Sequence, residues 1–235
     1  METIFIIKNF KRTRDCVLTI KSIRHFCDNE INILHLFNES IDEYKGSSEL
    51  SLNEELMDMG VIQHFGKTKY VFPPCPGNPG PANGLYYSEA LNYCSEIFKG
   101  QNKKVIILDE NHFFTSGETI KFLLNNDYDF AYGTWGNPFH YFYYKDENYY
   151  DRDVNLVPNC SLLGINFLNL KHLFPIQEQF MFCEPLINQE ILTKITDKSR
   201  IYKIPTRVLN NYCGDGFHTN DYDQMYDALQ KSGIV

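Results

Sequence analysis

Residues 105–108 read Val-Ile-Ile-Leu and run without a polar break into Asp109-Glu110-Asn111. A strand with no alternation of apolar and polar residues is covered on both faces. That predicts a mostly parallel sheet with helices on either side. In an open sheet of this kind, ligands bind beyond the carboxyl ends of the strands, where this tripeptide falls. Its oxygens suit Mg²⁺ or Mn²⁺ holding a diphosphate. A strand ending in a solvated acidic turn is the other reading of the same residues.

The rest of the chain agrees with such a sheet. Strands are predicted at 3–7, 31–37, 61–65, 129–133, 157–167 and 201–208. Helical spacing marks 13–26, where Val17, Ile20, Ile23 and Phe26 recur every three residues, and also 82–98, 116–124 and 187–195. A short helix at 52–59 opens on Ser51 with Glu54 three residues on, and Gly60 closes it. Residues 73–81 are rich in Pro and Gly and read as a loop. Alternating strands and helices predict an α/β fold, with a mixed, mostly parallel central sheet flanked by helices. Without an internal repeat or a linker, residues 1–235 read as one domain.

The second half is less regular. Residues 139–150 are crowded with Tyr and Phe, and Trp135 stands just upstream. Aromatic faces can stack on sugars, and a hairpin with alternating burial would use the same residues. Residues 210–223 read as a polar, glycine-containing tail.

Composition removes several classes. The chain has 235 residues and a formal net charge of −8, which argues against a nucleic-acid binder. Seven cysteines, an odd number with no CxxC spacing, indicate neither a zinc site nor a disulfide framework. Reduced thiols in a cytoplasmic compartment are the simplest reading. The apolar run at the amino terminus is too short for a signal peptide or a membrane span, and no other segment could cross a bilayer. Contact with a membrane would be peripheral.

Four blocks then appear in a meaningful order. Lys8-Asn9-Phe10-Lys11-Arg12 precedes Leu18-Thr19-Ile20-Lys21-Ser22-Ile23. Asn38-Glu39-Ser40-Ile41-Asp42 follows the second strand. Gly80-Pro81-Ala82-Asn83-Gly84 precedes a helix, and Leu108-Asp109-Glu110-Asn111 ends the central strand. In this order the blocks resemble the family 2-like glycosyltransferases of the GT-A fold. There a strand leads into a Tyr-Asn-Arg-like turn and a helix with a Leu-x-x-Thr-Ile-x-Ser-Ile pattern. An Asp-Gly-Ser-x-Asp turn, a Gly-rich loop with Ala-Arg-Asn-x-Gly and an Asp-x-Asp motif follow. The chain departs from that pattern at Phe10 and Lys11, lacks the Arg of the Gly-rich loop, and carries Asn111 where the third motif residue is Asp.

The resemblance implies a nucleotide-sugar donor, UDP-linked first, and a glycan or glycoprotein acceptor. Residues 1–115 would form the donor half and 116–235 the acceptor half. Donor contacts would come from Phe10, Arg12, Arg14, Ser40, Asp42, Asn83, Asp109 and Glu110. The two arginines would meet phosphate with their forked donors, or else be solvated at a helix start. Asp109 and Asn111 would hold Mn²⁺ or Mg²⁺. His218 would complete the metal shell, with His112 as the local competitor. An inverting enzyme needs a carboxylate to take the acceptor proton. Glu184, opening a helix beside Pro185, is the candidate base, and Glu190 the second choice. Two other classes remain: a sugar nucleotidyltransferase, which would want a glycine in the basic 9–14 turn, and a non-catalytic carbohydrate-binding or assembly module.

Overall fold

In the structure, a computed structural model, the described residues are 2–10, 12–27, 33–38, 40–41, 53–67, 83–134, 139–145, 148–154, 158–176, 184–204, 216–218 and 221–235. A seven-stranded sheet runs through the molecule. Its strands are β1 (Glu2–Asn9), β2 (Ile33–Asn38), β3 (Val61–Phe65), β4 (Lys103–Asp109), β6 (Phe130–Thr134), β9 (Pro158–Ile165) and β10 (Ile201–Lys203). Their order is β10-β6-β9-β4-β1-β2-β3. All neighbours are parallel except β9, which runs against both β4 and β6.

Helices cover both faces, as unbroken apolar strands require. Phe5 and Ile7 of β1, with Ile106 and Leu108 of β4, pack under α1 (Thr13–Phe26) and α4 (Glu118–Asn125), meeting Val17, Ile20, Ile23, Ile120 and Leu123. Ile4, Ile6, Val105 and Ile107 face the other way. They meet Tyr87, Leu91 and Phe98 of α3 (Asn83–Phe98), Phe167 and Leu170 of α5 (Phe167–Leu170), and Ile187 and Ile191 of α6 (Glu184–Lys194). Each such side chain, fully buried, contributes roughly 1.5–3 kcal/mol. Among the described residues no helix is long and apolar enough to cross a membrane. Cys16, Cys27 and Cys94 are buried.

Predicted and observed elements coincide at α1 and β3, and nearly so at β1, β2, β4, β6, α3, α4 and α6. The short helix α2 (Asn53–Asp58) ends where Gly60 takes φ 70°, a left-handed value that suits glycine. One expectation is corrected. The predicted strand at 157–167 stops at Ile165, because Asn166 accepts from Asn169 N–H at 3.3 Å and turns the chain into α5. Within the polar tail the described residues hold two short elements. Gly216–His218 forms β11, antiparallel to β5 (His112–Phe114). Asp221 then caps α7 (Tyr222–Lys231) by accepting from the N–H groups of Asp223 and Gln224. The expected loop at 73–81 and residues 205–208 of the predicted late strand lie outside the described residues.

Residues 139–150 belong to a separate hairpin of β7 (Phe139–Lys145) and β8 (Asn148–Val154). Thr134, at the end of β6, pairs with Pro158, at the start of β9. Because β9 is reversed, the hairpin between them leaves and re-enters the sheet on the same edge as the ends of β1 and β4. Trp135 lies outside the described residues.

Candidate functional site

The chain leaves β1 for β2 on one side, while β4 adds on the other, so the strand order reverses between β1 and β4. A crevice opens at such a point beyond the carboxyl ends of the strands. Those ends are Lys8-Asn9 and Asp109, and Lys8 is the register partner of Asp109.

Asn9 is fully buried and organises one flank. Its side-chain oxygen accepts from Arg12 N–H at 3.0 Å, closing the turn into α1. Its amide donates to Thr13 Oγ1 at 3.2 Å and to Asn38 Oδ1 at 2.8 Å. Asn38 in turn donates to Gln63 Oε1 at 3.1 Å. An amide ladder thus joins the ends of β1, β2 and β3, and two of its members come from blocks singled out in the sequence. Ser40 follows the ladder and is buried. Its hydroxyl has no hydrogen-bond partner among the described residues.

The Thr-Ile-x-Ser-Ile part of the family pattern, Thr19 to Ile23 of α1, has a local reason. Thr19 Oγ1 donates to the Glu110 carbonyl at 2.7 Å. Ser22 Oγ donates to Thr19 O at 2.7 Å and accepts from Phe114 N–H at 3.2 Å. The helix therefore pins the turn Asp109-Glu110-Asn111 and the short strand after it.

At the crevice floor, Lys8 Nζ lies 2.6 Å from Asp109 Oδ1 and 4.1 Å from the centre of the Tyr87 ring. The Lys8 side chain is only 3% exposed, against 16% for Asp109. Tyr87 is itself fully buried, and its hydroxyl donates to Asn188 Oδ1 of α6 at 2.7 Å. Burial, then the neighbouring Asp109 carboxylate, push the Glu110 carboxyl well above the usual carboxylate range, and Arg12 and Lys8 pull it back only in part. Of the two arginines, Arg12 acts on this edge and also pairs with Asp15. Arg14 lays its guanidinium on Tyr222 of α7, 3.5 Å from the ring centre.

The remaining candidates fall as follows. Phe10 is half-buried at the bend after β1, Asn83 is the first residue of α3, and Glu184 the first of α6, one turn before Asn188. Glu190 is drawn elsewhere. It pairs with Lys194 at 2.5 Å and borders a cavity of about 400 Å³ between α6 and residues 172–176. His112 and His218, the two competing histidines, are cross-strand partners in the β5–β11 pair. Asp42 and Lys11 lie outside the described residues. Sequence reasoning missed Lys8, Tyr87 and Asn188. The available signal was a lysine ending an apolar strand, aligned with an aspartate ending the next.

A divalent ion fits this edge poorly. Asp109 is already neutralised by an ammonium group, the Glu110 carboxyl resists ionisation, and Asn111 offers an amide. Among the described residues no three His, Cys, Asp or Glu side chains are gathered closely enough to hold a metal.

No family model and no curated protein matches the sequence. Solved structures do match by shape. One is the WbbM bifunctional glycosyltransferase, at TM-score 0.59 and 11% identity over 97% of this chain, which spans 49% of that one. Another is CTP:phosphocholine cytidylyltransferase from Streptococcus pneumoniae, at TM-score 0.56 and 9% identity over 98% of this chain and 99% of that one. A third is glucosyl-3-phosphoglycerate synthase from Mycobacterium tuberculosis, solved with Mn²⁺, UDP and glucosyl-3-phosphoglycerate. It matches at TM-score 0.54 and 12% identity over 99% of this chain and 80% of that one. At these identities the likeness establishes architecture: the chain has the GT-A-like, Rossmann-like fold of glycosyl and nucleotidyl transferases.

Proposed function

We propose that this protein is a glycosyltransferase that moves a sugar from a nucleoside-diphosphate donor, UDP-linked first, to a glycan or glycoprotein acceptor. The observation that carries this reading is the edge at the β1–β4 switch point. An amide ladder, two cations and one carboxylate converge there, and Tyr87 links that edge to Asn188 of α6. Base and ribose would lie over Phe10, Ser40 and Asp42, on the side of the ladder. Asn83 would face the ribose or the donor sugar. The diphosphate would lie against Arg12 and the Asp109–Glu110 turn, with Arg14 the outer arginine of the set.

Glu184 would act as general base. It takes the proton of the acceptor hydroxyl while that oxygen attacks the anomeric carbon, and the bond to the departing nucleoside diphosphate breaks. The anomeric configuration inverts in such a single displacement. Asn188 and Tyr87 tie α6 to the crevice floor and so hold the start of the helix beside it. Mn²⁺ or Mg²⁺, through Asp109, Asn111 and His218, has the support of the neighbour solved with Mn²⁺ and UDP. The charge already resident at Asp109 weighs against it.

A nucleotidyltransferase is the second reading, favoured by the cytidylyltransferase match across almost the whole of both chains. Against it, the turn after β1 contains no glycine and is closed by the Asn9 side chain, which leaves little backbone to cradle a triphosphate. The discriminating experiment titrates UDP, GDP and dTDP, then follows donor-sugar hydrolysis and, separately, pyrophosphate release from nucleoside triphosphate with a sugar phosphate. Nucleoside-diphosphate binding with donor hydrolysis is expected. Pyrophosphate release would favour the second reading. Binding without turnover in any acceptor screen would favour a carbohydrate-binding or assembly module, and no nucleotide binding would remove the transferase reading.

A further inference from the structure

The crevice floor carries its own cation. A lysine inside an otherwise apolar strand is costly to bury, because its charge leaves water. Lys8 accepts that cost in a fixed setting: Asp109 at 2.6 Å on one side, and on the other the Tyr87 ring, itself anchored to α6 through Asn188. An aromatic face and a carboxylate together stabilise a desolvated ammonium. Asp109 is the more exposed member of the pair, so the ammonium lies just beneath the surface a ligand would meet.

Charge decides what such a floor can bind. An edge with two free carboxylates repels a diphosphate and needs a divalent ion between them. Here the third position of the motif is the amide of Asn111, and the first carboxylate is matched by Lys8. Among the described residues the Lys8–Asp109 pair carries no net charge, and Arg12 stands nearby.

We propose that the Lys8 ammonium, held by Asp109 and the Tyr87 face, cancels the carboxylate charge that would otherwise repel the donor's diphosphate, so that nucleotide binding needs no divalent ion. This rests on the glycosyltransferase reading and names the group that would take the metal's place in it. Lys8 is then a positioning residue that acts on binding through Asp109, and its pairing with Asp109 does more than join β1 to β4.

The test is calorimetric titration of the full chain with UDP, in EDTA and in saturating Mn²⁺. The wild-type affinities are expected to agree within about twofold, since Lys8 already matches the charge of Asp109. Lys8→Met should weaken binding in EDTA by roughly ten- to hundredfold, the range for losing one charged hydrogen-bond donor. Mn²⁺ should restore most of that loss by matching the Asp109 charge in place of the Lys8 ammonium. Lys8→Arg should keep EDTA binding. In Lys8→Met/Asp109→Asn, which has no unpaired charge to disturb folding, Mn²⁺ should restore nothing.

Wild-type binding that collapses in EDTA and returns with Mn²⁺ would overturn the proposal and leave the transferase reading intact. So would a Lys8→Met loss that Mn²⁺ cannot repair, which is the mark of a purely structural lysine. Absence of UDP, GDP and dTDP binding in both media would remove the donor reading itself, and this proposal with it.

Discussion

Single side chains at the crevice have roles that differ in how visible they were beforehand. Asp109 and Glu184 stand out by position, one at the end of an apolar run and the other at a helix start. Lys8 does not. A lysine closing a strand reads as a solvated end, and only the register with β4 turns it into the buried partner of the Asp109 carboxylate. For Glu184 the expected outcome of Glu184→Gln is a fall in kcat of roughly 10²–10⁴-fold with unchanged nucleotide affinity, measured as transfer rate beside a UDP titration. Unchanged transfer would remove Glu184 as base. Between β2 and β3, His35 and His64 stack with Nδ1 and Nε2 2.5 Å apart, and Tyr93 Oη lies 2.9 Å from His64 Nδ1. Burial, then the neighbouring His64 and Lys103, push His35 down to about 4, and burial lowers His64. Both stay neutral in the fold, whereas the unfolded chain takes up protons near pH 6.5. This pair therefore contributes stability that is complete above about pH 6.5 and is lost as pH falls toward 4. Thermal melts of wild type and His35→Gln should converge across that window, and parallel curves would exclude the pair as the source.

At the scale of elements, the unalternating strands and the period of α1 were readable because burial on two faces leaves an unmistakable pattern. Direction was not. Val157 to Phe167 carries apolar residues that would suit a parallel or an antiparallel strand equally, and β9 proves to be reversed. Its one glycine has a steric reason that only the assembled sheet reveals. A Cβ on Gly164 would lie 2.5 Å from the ring of Tyr128, which is fully buried against β9. Gly164→Ala should destabilise the protein by about 1–3 kcal/mol through overpacking, read as a lower denaturant midpoint at unchanged slope. Tyr128→Phe opens no room for the new methyl on the ring carbons and should not rescue it, whereas Tyr128→Leu should recover part of the loss.

For the molecule as a whole, two apolar layers flank the sheet, and a third, smaller cluster closes the carboxyl-terminal end. There Leu18 of α1 and Phe113 of β5 meet Met225 and Leu229 of α7. This cluster escaped the sequence reading because α7 presents only about one apolar residue per turn and β5 and β11 are three residues each. Leu229→Ala should cost roughly 2–4 kcal/mol in chemical unfolding. A fraying α7 would loosen the β11 pairing before the main sheet, so hydrogen exchange should quicken first at 216–218. If all amides lost protection together, the cluster would be part of one cooperative core. The reversed strand has a last consequence, for how such a protein can change. Since β6 leaves and β9 returns at one edge, everything from residue 139 to 154 is strung between two anchors that β1 to β4 do not supply. Mutations, insertions or a wholesale graft in that stretch can alter what approaches the crevice mouth, while the pocket floor is inherited untouched.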